Sequence, residues 1–481
     1  MSSPYIHCGT TGYAGHRKIW YNPRRTELSH ARFRVNTATP LNATHSGRAA
    51  RKLTLSMLVT ATYFMVAGGP YGLEDLIGRT GYSAVFVILL LTPFLWSLPT
   101  ALMVSELATA LPQDGGYYIW VSRAMGPFWG FQESWLTLAG SIFDMALYPT
   151  LAVGYLNRFA PQLTAGYRGW MLELAMIAVC AGWNILGAHA VGEGSLVLNV
   201  LLLSPFALIV VFAAIRPAAP VAAAAPAHAD LLGGIAIAMW NYMGWDNLST
   251  IAGEVDRPQR TYPLAMLGSL ILVELSYLLP IAAVAHARLD LRLWSTGGWV
   301  DAGRVLGGSA LAMAVAAAGV IGAFGTFGTL MLSLTRLPVV MAADGYLPRP
   351  LTRLHAKTGA PWVSIVVCAV AWAACLPLGF VSLLIIDVLL TGMSILLEFW
   401  ALVALRIREP DLARPYRVPG GLAGAIALGI PPLGLVILSV VRSKSEQIGA
   451  TNELMIVLGI LALGVVCYFL SAALRRRTAA R

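Results

Sequence analysis

Charged residues are scarce in this chain of 481 residues. Asp, Glu, Lys and Arg make up 12% of the sequence, whereas 57% is hydrophobic, and the mean hydropathy is +0.70. Water-soluble domains contain about 25% charged and about 45–50% apolar residues. A water-soluble surface cannot be built from so few charges, so a soluble globular domain is excluded.

Cysteine is also rare, and catalytic and metal-binding motifs are missing. Cys180, Cys368, Cys375 and Cys467 fall in apolar runs and Cys8 lies near the N-terminus, so no extracellular disulfide framework is indicated. The chain has no His-Glu-x-x-His motif, no Gly-x-Ser-x-Gly elbow, no phosphate-binding P-loop and no Cys/His cluster with metal-ligand spacing. We therefore expect no enzyme, no metal site and no cofactor.

Apolar runs recur from residue 53 to the C-terminus. A helix needs about 20 residues to cross roughly 30 Å of hydrocarbon. The runs are continuous in Leu, Ala, Val and Ile, which favours helices over the alternating strands of a barrel. The sequence therefore predicts an all-α polytopic membrane protein with about 12 transmembrane helices. The predicted spans lie near residues 53–78, 83–110, 127–156, 169–188, 192–215, 231–253, 263–286, 308–335, 362–379, 381–405, 422–441 and 453–474.

The net charge of +10 does not indicate a nucleic-acid partner, because Lys and Arg concentrate on alternate connections between spans. The basic connections include the segment before residue 53 and the C-terminal tail. By the positive-inside rule both termini are cytoplasmic, as an even number of spans requires. We expect a multi-pass protein of the cell membrane whose partners are the lipid bilayer and a small solute; the oligomeric state stays open.

Two predicted spans are interrupted by residues that disfavour a helix. Residues 66–72 contain three glycines and a proline, and residues 240–247 place an acid and two amides at membrane depth. An interior glycine costs about 1 kcal/mol and a proline about 3 kcal/mol. The breaks open two successive groups of five spans, and such paired breaks are typical of a transporter binding site. Ordinary helix kinks are the alternative.

This pattern divides the chain into five parts. We predict a disordered cytoplasmic tail over 1–52, a first five-helix repeat over 53–216 and an Ala/Pro-rich external linker over 217–230. A second five-helix repeat over 231–406 and two accessory helices with a C-terminal tail over 407–481 complete the chain.

Several motifs occur in a familiar order. They are GGPYGLED (68–75), ELATALP (106–112), GPFWGFQE (126–133), DMALYP (144–149), WNYMGWD (240–246), AGEV (252–255) and LRIREPDL (405–412). In this order they resemble the amino acid, polyamine and organocation superfamily, and in particular its branch of polyamine-uptake and L-type amino acid transporter-like permeases. The resemblance implies a leucine-transporter-like 5+5 inverted repeat with discontinuous helices 1 and 6, alternating access and, often, proton coupling.

Acids within apolar spans are candidates for function, because each costs at least about 2.5–3.5 kcal/mol at the centre of a membrane helix. Asp144 and Tyr148 are four residues apart and share a helix face. Together they can hold an ammonium group by charge and by cation–π contact; a structural pairing of the acid is the alternative. Asp246 is the counterpart at the second break, and Trp240 and Trp245 serve as walls, as a gate or as ordinary packing.

The predicted substrate-binding residues are Gly68, Gly69, Tyr71, Gly72, Glu74, Asp144, Tyr148, Trp240, Asn241, Trp245 and Asp246. Amino acid carriers that the chain resembles hold the substrate carboxylate on backbone N–H groups at the first break. Pro70 supplies no N–H, which favours a ligand with several amines, although Tyr71 and Gly72 keep their amides. Glu74 and the adjacent Asp75 are expected at the outer mouth, one attracting cations and the other capping the half-helix.

Four further acids are candidates for gating or proton relay. Glu106 and Glu254 are expected near Arg51, Lys52 and Arg123 as gates or structural ion pairs. Glu274 and Glu398 lie deeper in the spans and can relay protons or pair with a polar neighbour. Asp387 is similar, and all three deep acids rank below Asp144 and Asp246.

The fifth predicted span, 192–215, contains no Lys or Arg, whereas proton-coupled proteins that the chain resembles often carry a lysine there. A carboxylate is therefore the expected protonation site, with a proton gradient as the energy source. The sequence thus predicts a secondary active transporter that imports polyamines or related organic cations. A cationic or neutral amino acid permease and a membrane sensor that moves no solute are the alternatives.

Overall fold

A computed structural model describes residues 52–215, 229–376, 380–443, 447–448 and 451–479. The predicted disordered tail over 1–52, apart from its last residue, lies outside the described residues. So does nearly all of the predicted linker over 217–230.

The described chain is almost entirely helical, with one two-residue hairpin of β1 (Gln447–Ile448) and β2 (Thr451–Asn452). The α-helices are α1 (Leu55–Val66), α2 (Glu74–Thr92), α3 (Leu98–Ala110), α4 (Gly116–Met125), α5 (Pro127–Phe159), α6 (Pro161–Thr164), α7 (Tyr167–Ile185), α8 (Ala188–Ile215), α9 (Leu231–Asn241), α10 (Pro258–His286), α11 (Gly298–Leu334), α12 (Leu337–Ala343), α13 (Trp362–Ala373), α14 (Phe380–Arg408), α15 (Gly421–Ser443) and α16 (Glu453–Ala479). A π-helical turn at Pro93–Ser97 joins α2 to α3, and 3₁₀ turns lie at Asn247–Glu254, Leu291–Leu293 and Arg349–Thr352.

Within the described part of the chain, eight helices are long and apolar enough to cross a membrane. Three shorter apolar helices, α1, α9 and α13, accompany them. Many large apolar side chains on the long helices are exposed, among them Phe94, Val200, Ile430 and Leu470. Such surfaces are compatible with lipid rather than water.

The long helix α5 organises the interior. It packs against α11, α14 and α4, while α11 also packs against α8 and α1. With 33 residues, α5 is about 50 Å long. Its side chains line two cavities together with residues of both helix interruptions.

The chain leaves helical geometry at both positions where glycine and proline predict it. Residues 67–73 separate α1 from α2, and residues 242–246 separate α9 from the 3₁₀ turn at Asn247–Glu254. Gly244 has a φ of 99°, and a Cβ atom there would lie 2.1 Å from the carbonyl oxygen of Met65. Only glycine fits this approach, so the second interruption packs directly on the end of α1.

The span predicted over 231–253 is interrupted where expected, because α9 ends at Asn241 and a 3₁₀ turn follows at Asn247–Glu254. Other predicted boundaries are wrong. The span predicted over 308–335 begins earlier in the structure, because α11 starts at Gly298 and kinks at Gly307 and Gly308. Helix α4 lies between two predicted spans. This short helix was missed because its apolar run falls below membrane-crossing length.

Candidate functional site

Two adjoining cavities lie where the interruptions meet α5. Their volumes are about 30 and 50 Å³, and Val66, Tyr148 and Trp240 line both. One water needs about 10–15 Å³ measured in this way. The cavities therefore have room for a few waters, and a larger solute requires the surrounding helices to move apart.

Asp144 lies at the centre of a hydrogen-bonded group on this site. The Tyr148 hydroxyl donates to the carboxylate, at 2.9 Å from Oδ1 and 3.1 Å from Oδ2. Trp240 Nε1 donates to Oδ1 at 3.0 Å, and the two rings are stacked with centroids 6.1 Å apart. The predicted pair of Asp144 and Tyr148 thus adjoins Trp240 from α9. The binding of an ammonium group by Asp144 and Tyr148 stays a prediction.

Three carboxylates line the larger cavity: Asp144 from α5, Asp246 from the second interruption and Asp387 from α14. None of the described lining residues is Lys, Arg or His. Asp144 acts electrostatically on Asp387, whose Oδ1 accepts a hydrogen bond of 3.0 Å from Thr391. Uncompensated charge of one sign in a buried space favours a ligand of the opposite sign.

Asp246 and Trp245, adjacent in sequence, point to different places. Asp246 is 3% exposed, and its Oδ1 has no hydrogen-bond partner among the described residues. Trp245 is fully buried and does not line the cavities. Trp245 is therefore a packing residue rather than a wall in this conformation.

The first interruption contributes Gly68 and Tyr71 to the smaller cavity, and α9 contributes Asn241. Gly69 and Gly72 do not line it. Gly69 meets Leu202 of α8, whereas Gly72 adopts φ 87° against the Trp240 ring. These two glycines allow close packing beside the site.

Glu74 was expected at an open outer mouth, but the structure does not place it there. It is fully buried, and its Oε2 accepts a hydrogen bond of 2.6 Å from the backbone N–H of Gly72. Asp75 instead accepts a hydrogen bond of 2.9 Å from Thr296. The chain thus supplies its own carboxylate to an N–H group of the first interruption, within the helix end where an acid is favoured.

Glu106 has partners that sequence topology did not predict. Its carboxylate binds the Arg406 guanidinium through Nε at 2.9 Å and through Nη2, and it accepts a hydrogen bond of 2.7 Å from the Val418 N–H. Arg414 lies 3.3 Å away. The expected neighbour Arg123 binds Glu409 instead, at 2.6 Å. Because residues 300 apart in sequence meet here, span order alone misassigned the pair.

The Arg123 hydrogen bond lowers the pKa of Glu409, which lies after the end of α14. Burial, aided by the charge of Glu254, raises the pKa of Asp114 in the loop before α4. Asp114 accepts a hydrogen bond of 3.0 Å from the Gly253 N–H.

The other predicted gating and relay residues have separate environments. Glu254 binds Arg336 at 2.8 Å, so it forms an ion pair with a partner other than the expected ones. Tyr242 donates a hydrogen bond of 2.8 Å to Glu274, which matches the polar-neighbour alternative. Glu398 is fully buried, and neither of its carboxylate oxygens has a hydrogen-bond partner among the described residues.

Glu133 was not among the candidate site residues predicted from the sequence. It lies on α5, fully buried, two helical turns before Ser141. A signal was available: Glu133, Thr137, Asp144 and Tyr148 repeat at intervals that place them on one face of a helix. Glu133 had been assigned only to a motif.

Comparison with known proteins identifies the family. The family model described as amino acid permease matches residues 53–467. The chain belongs to the amino acid permease family. This assignment confirms the prediction of a helical, multi-pass membrane protein that transports a solute. It also confirms that the permease is a transporter and not an enzyme.

Similar curated proteins carry names that refer to polyamines. The permease is 33% identical over 420 residues to polyamine transporter PUT1 of Oryza sativa subsp. japonica, covering 87% of this chain and 78% of that protein. It is 33% identical over 391 residues to polyamine transporter RMV1 of Arabidopsis thaliana, covering 80% and 79%. Serine/threonine exchanger SteT of Bacillus subtilis (strain 168) is 25% identical over 77% of this chain and 85% of its own.

Proposed function

We propose that this permease imports polyamines or related organic cations by alternating access, driven by a proton gradient. The observation that carries the proposal is the cavity with Asp144, Asp246 and Asp387 and with no basic residue among its described lining. A ligand with two or more ammonium groups compensates these charges. An amino acid brings a carboxylate that this cavity has no cation to bind.

The first interruption supports the same choice. Glu74 already accepts a hydrogen bond from the Gly72 N–H, and Pro70 has no N–H to offer. Two of the amide positions that would bind a substrate carboxylate are therefore unavailable. The names of the similar proteins PUT1 and RMV1 point in the same direction.

An amino acid substrate is the second candidate, and the similarity to an exchanger named for serine and threonine favours it. Uptake of labelled putrescine and labelled arginine into proteoliposomes containing the purified permease separates the two. We expect putrescine to enter and to be displaced by other polyamines. Competition by arginine with no entry of putrescine would refute a polyamine substrate.

We further propose that the helices form about 12 membrane crossings arranged as two inverted repeats of five, followed by two accessory crossings. In this arrangement α1 and the first turns of α2 make the first discontinuous crossing, up to Gly81, where the backbone leaves helical geometry. Helix α9 and the 3₁₀ turn make the sixth. Both termini face the cytoplasm of a cell-membrane protein, as the charge distribution predicts.

Alternating access requires contacts at each end of the bundle to open in turn. At one end Glu254 binds Arg336 and the Leu53 N–H donates to the Glu254 carbonyl at 2.9 Å. At the other end Trp299 Nε1 donates 2.8 Å to the Pro70 carbonyl. We propose these contacts as the inner and outer gates of a conformation closed around the site.

A further inference from the structure

A polar seam crosses the apolar interior between α5 and α14. Glu133, Thr137 and Asp144 lie on one face of α5, and Asp387, Ser394 and Glu398 lie on the facing side of α14. At a rise of 1.5 Å per residue, the 11 steps from 133 to 144, or from 387 to 398, cover about 16.5 Å. The seam therefore extends from the cavity to a second, deeper group of acids.

Thr137 joins the two levels. It lines the larger cavity, and its hydroxyl lies 3.0 Å from Glu133 Oε1 and 3.0 Å from the Ser394 hydroxyl. Ser394 in turn lies 3.3 Å from the same Glu133 oxygen. Hydroxyl groups both donate and accept hydrogen bonds, so a proton can pass between the cavity and Glu133 through this contact.

The two deep acids differ in how the protein solvates them. Glu133 accepts hydrogen bonds from Thr137 and Ser394, and the Ser134 hydroxyl lies 3.2 Å from its other oxygen. Glu398, one turn beyond Ser394, has both oxygens buried without a hydrogen-bond partner among the described residues. An ionised carboxylate without donors or a cation costs several kcal/mol in the interior. Glu398 is therefore the better placed of the two to hold a proton, and Glu133 is the better solvated.

Among the described residues, the charges that act on Glu398 are acidic. Asp246 and Glu133 act electrostatically on Glu398. The carboxylates of Asp246, Glu133 and Glu398 also act electrostatically on the phenol of Tyr117 on α4. Helices α9 and α15, which also pack on α14, carry no titratable side chain between 231 and 241 or between 421 and 441. The packed faces of α3 and α16 add other titratable groups: Glu106, bound to Arg406, and Glu453, Cys467 and Tyr468.

We propose that Glu398 and Glu133 together bind the proton that is co-transported with the substrate, and that Thr137 connects this acid pair with the cavity. The inference rests on the proposed function and assigns its coupling site. A cationic ligand at Asp246 compensates the acidic cavity and thereby alters the field at Glu398. Occupancy of the cavity and protonation of Glu398 are thus coupled through space.

The test separates coupling from transport in proteoliposomes that enclose a pH-sensitive dye. Labelled putrescine is followed in two modes: accumulation driven by an inward proton gradient, and counterflow at equal pH, which needs no gradient. One proton per substrate allows about tenfold accumulation per unit of pH difference. Glu398→Gln is expected to abolish accumulation and substrate-dependent proton entry while counterflow continues.

Two further variants keep the test decisive if Glu398→Gln does not fold. Thr137→Val removes the hydroxyl but keeps the side-chain shape, whereas Thr137→Ser retains it. We expect proton entry per putrescine to fall about 100-fold in the valine variant, the low end of the effect of a positioned proton-transfer group. It should recover with serine. The matched control is Glu173→Gln, a buried acid on α7 outside the seam, which is expected to behave as wild type.

The outcomes are distinguishable. Wild-type accumulation in Glu398→Gln, or equal proton entry in the valine and serine variants, would overturn the coupling site and leave the transporter intact. Wild-type protein that shows no counterflow of putrescine would instead remove the proposed function itself.

Discussion

Replacing Asp144 by Asn is the most direct test of the cavity. Asn keeps the size of the side chain and an oxygen for the hydrogen bond from Tyr148, but removes the charge. The Trp240 N–H, now 3.0 Å from Oδ1, still meets an oxygen in one amide orientation. The fold should therefore survive, since the hydrogen bonds that change are worth about 0.5–1.5 kcal/mol each.

The loss in binding is much larger than the loss in stability. Truncating one partner of a buried, hydrogen-bonded charge pair costs about 2–5 kcal/mol, which is about 30-fold to a few thousand-fold in Kd. Equilibrium binding of labelled putrescine to the purified permease in nanodiscs measures this directly, with the thermal unfolding midpoint as the check on folding.

The same substitution at Asp75 is the matched control, because that acid is bonded to Thr296 and does not line either cavity. Binding by Asp75→Asn should stay within about twofold of wild type, the range of a change of about 0.4 kcal/mol. A folded Asp144→Asn variant with an unchanged Kd would refute the assignment of the carboxylate to substrate binding.

Four more outcomes follow from contacts described above. Glu74→Ala frees a backbone N–H, so arginine should compete with putrescine better than it does in wild type; unchanged competition contradicts the carboxylate argument. Glu106→Gln leaves buried arginines without their partner and should cost about 3–5 kcal/mol of unfolding free energy, whereas Arg123→Gln, at a half-exposed pair, should cost at most about 1 kcal/mol; equal shifts in thermal midpoint would contradict this. Gly244→Ala places a side chain against a carbonyl at φ 99° and should cost at least about 1–3 kcal/mol, measured by the same midpoint. Arg123 lowers the pKa of Glu409 from 4.5, so the pair stabilises the fold above this pH. Its contribution is lost as the pH falls through the lowered pKa. Wild type should therefore lose slightly more stability than Arg123→Gln on acidification, measured by the same midpoint.

The sequence predicted the helical membrane architecture because hydrocarbon leaves few alternatives for the backbone. It also predicted where helices stop, since Gly69, Pro70 and Gly244 act on the local backbone alone. The face shared by Asp144 and Tyr148 followed from helical periodicity.

Features that depend on contacts between distant segments were not predictable in the same way. The pairing of Glu106 with Arg406 joins residues 300 apart in sequence, and span order alone cannot identify such partners. The direction of Trp245 depended on non-helical backbone, for which periodicity gives no rule. Glu133 lies within the motif GPFWGFQE (126–133), before the apolar part of the span, and only its partners on α14 distinguish it from a structural acid.

The three cavity carboxylates have a consequence for membrane voltage. An empty carrier in which they are ionised carries negative charge through its change of access, and each elementary charge that crosses 100 mV changes the free energy by about 2.3 kcal/mol. A bound diamine or triamine offsets most of that charge. A potential that is negative inside would therefore act chiefly on the return of the unloaded protein, turning its site back to face the exterior.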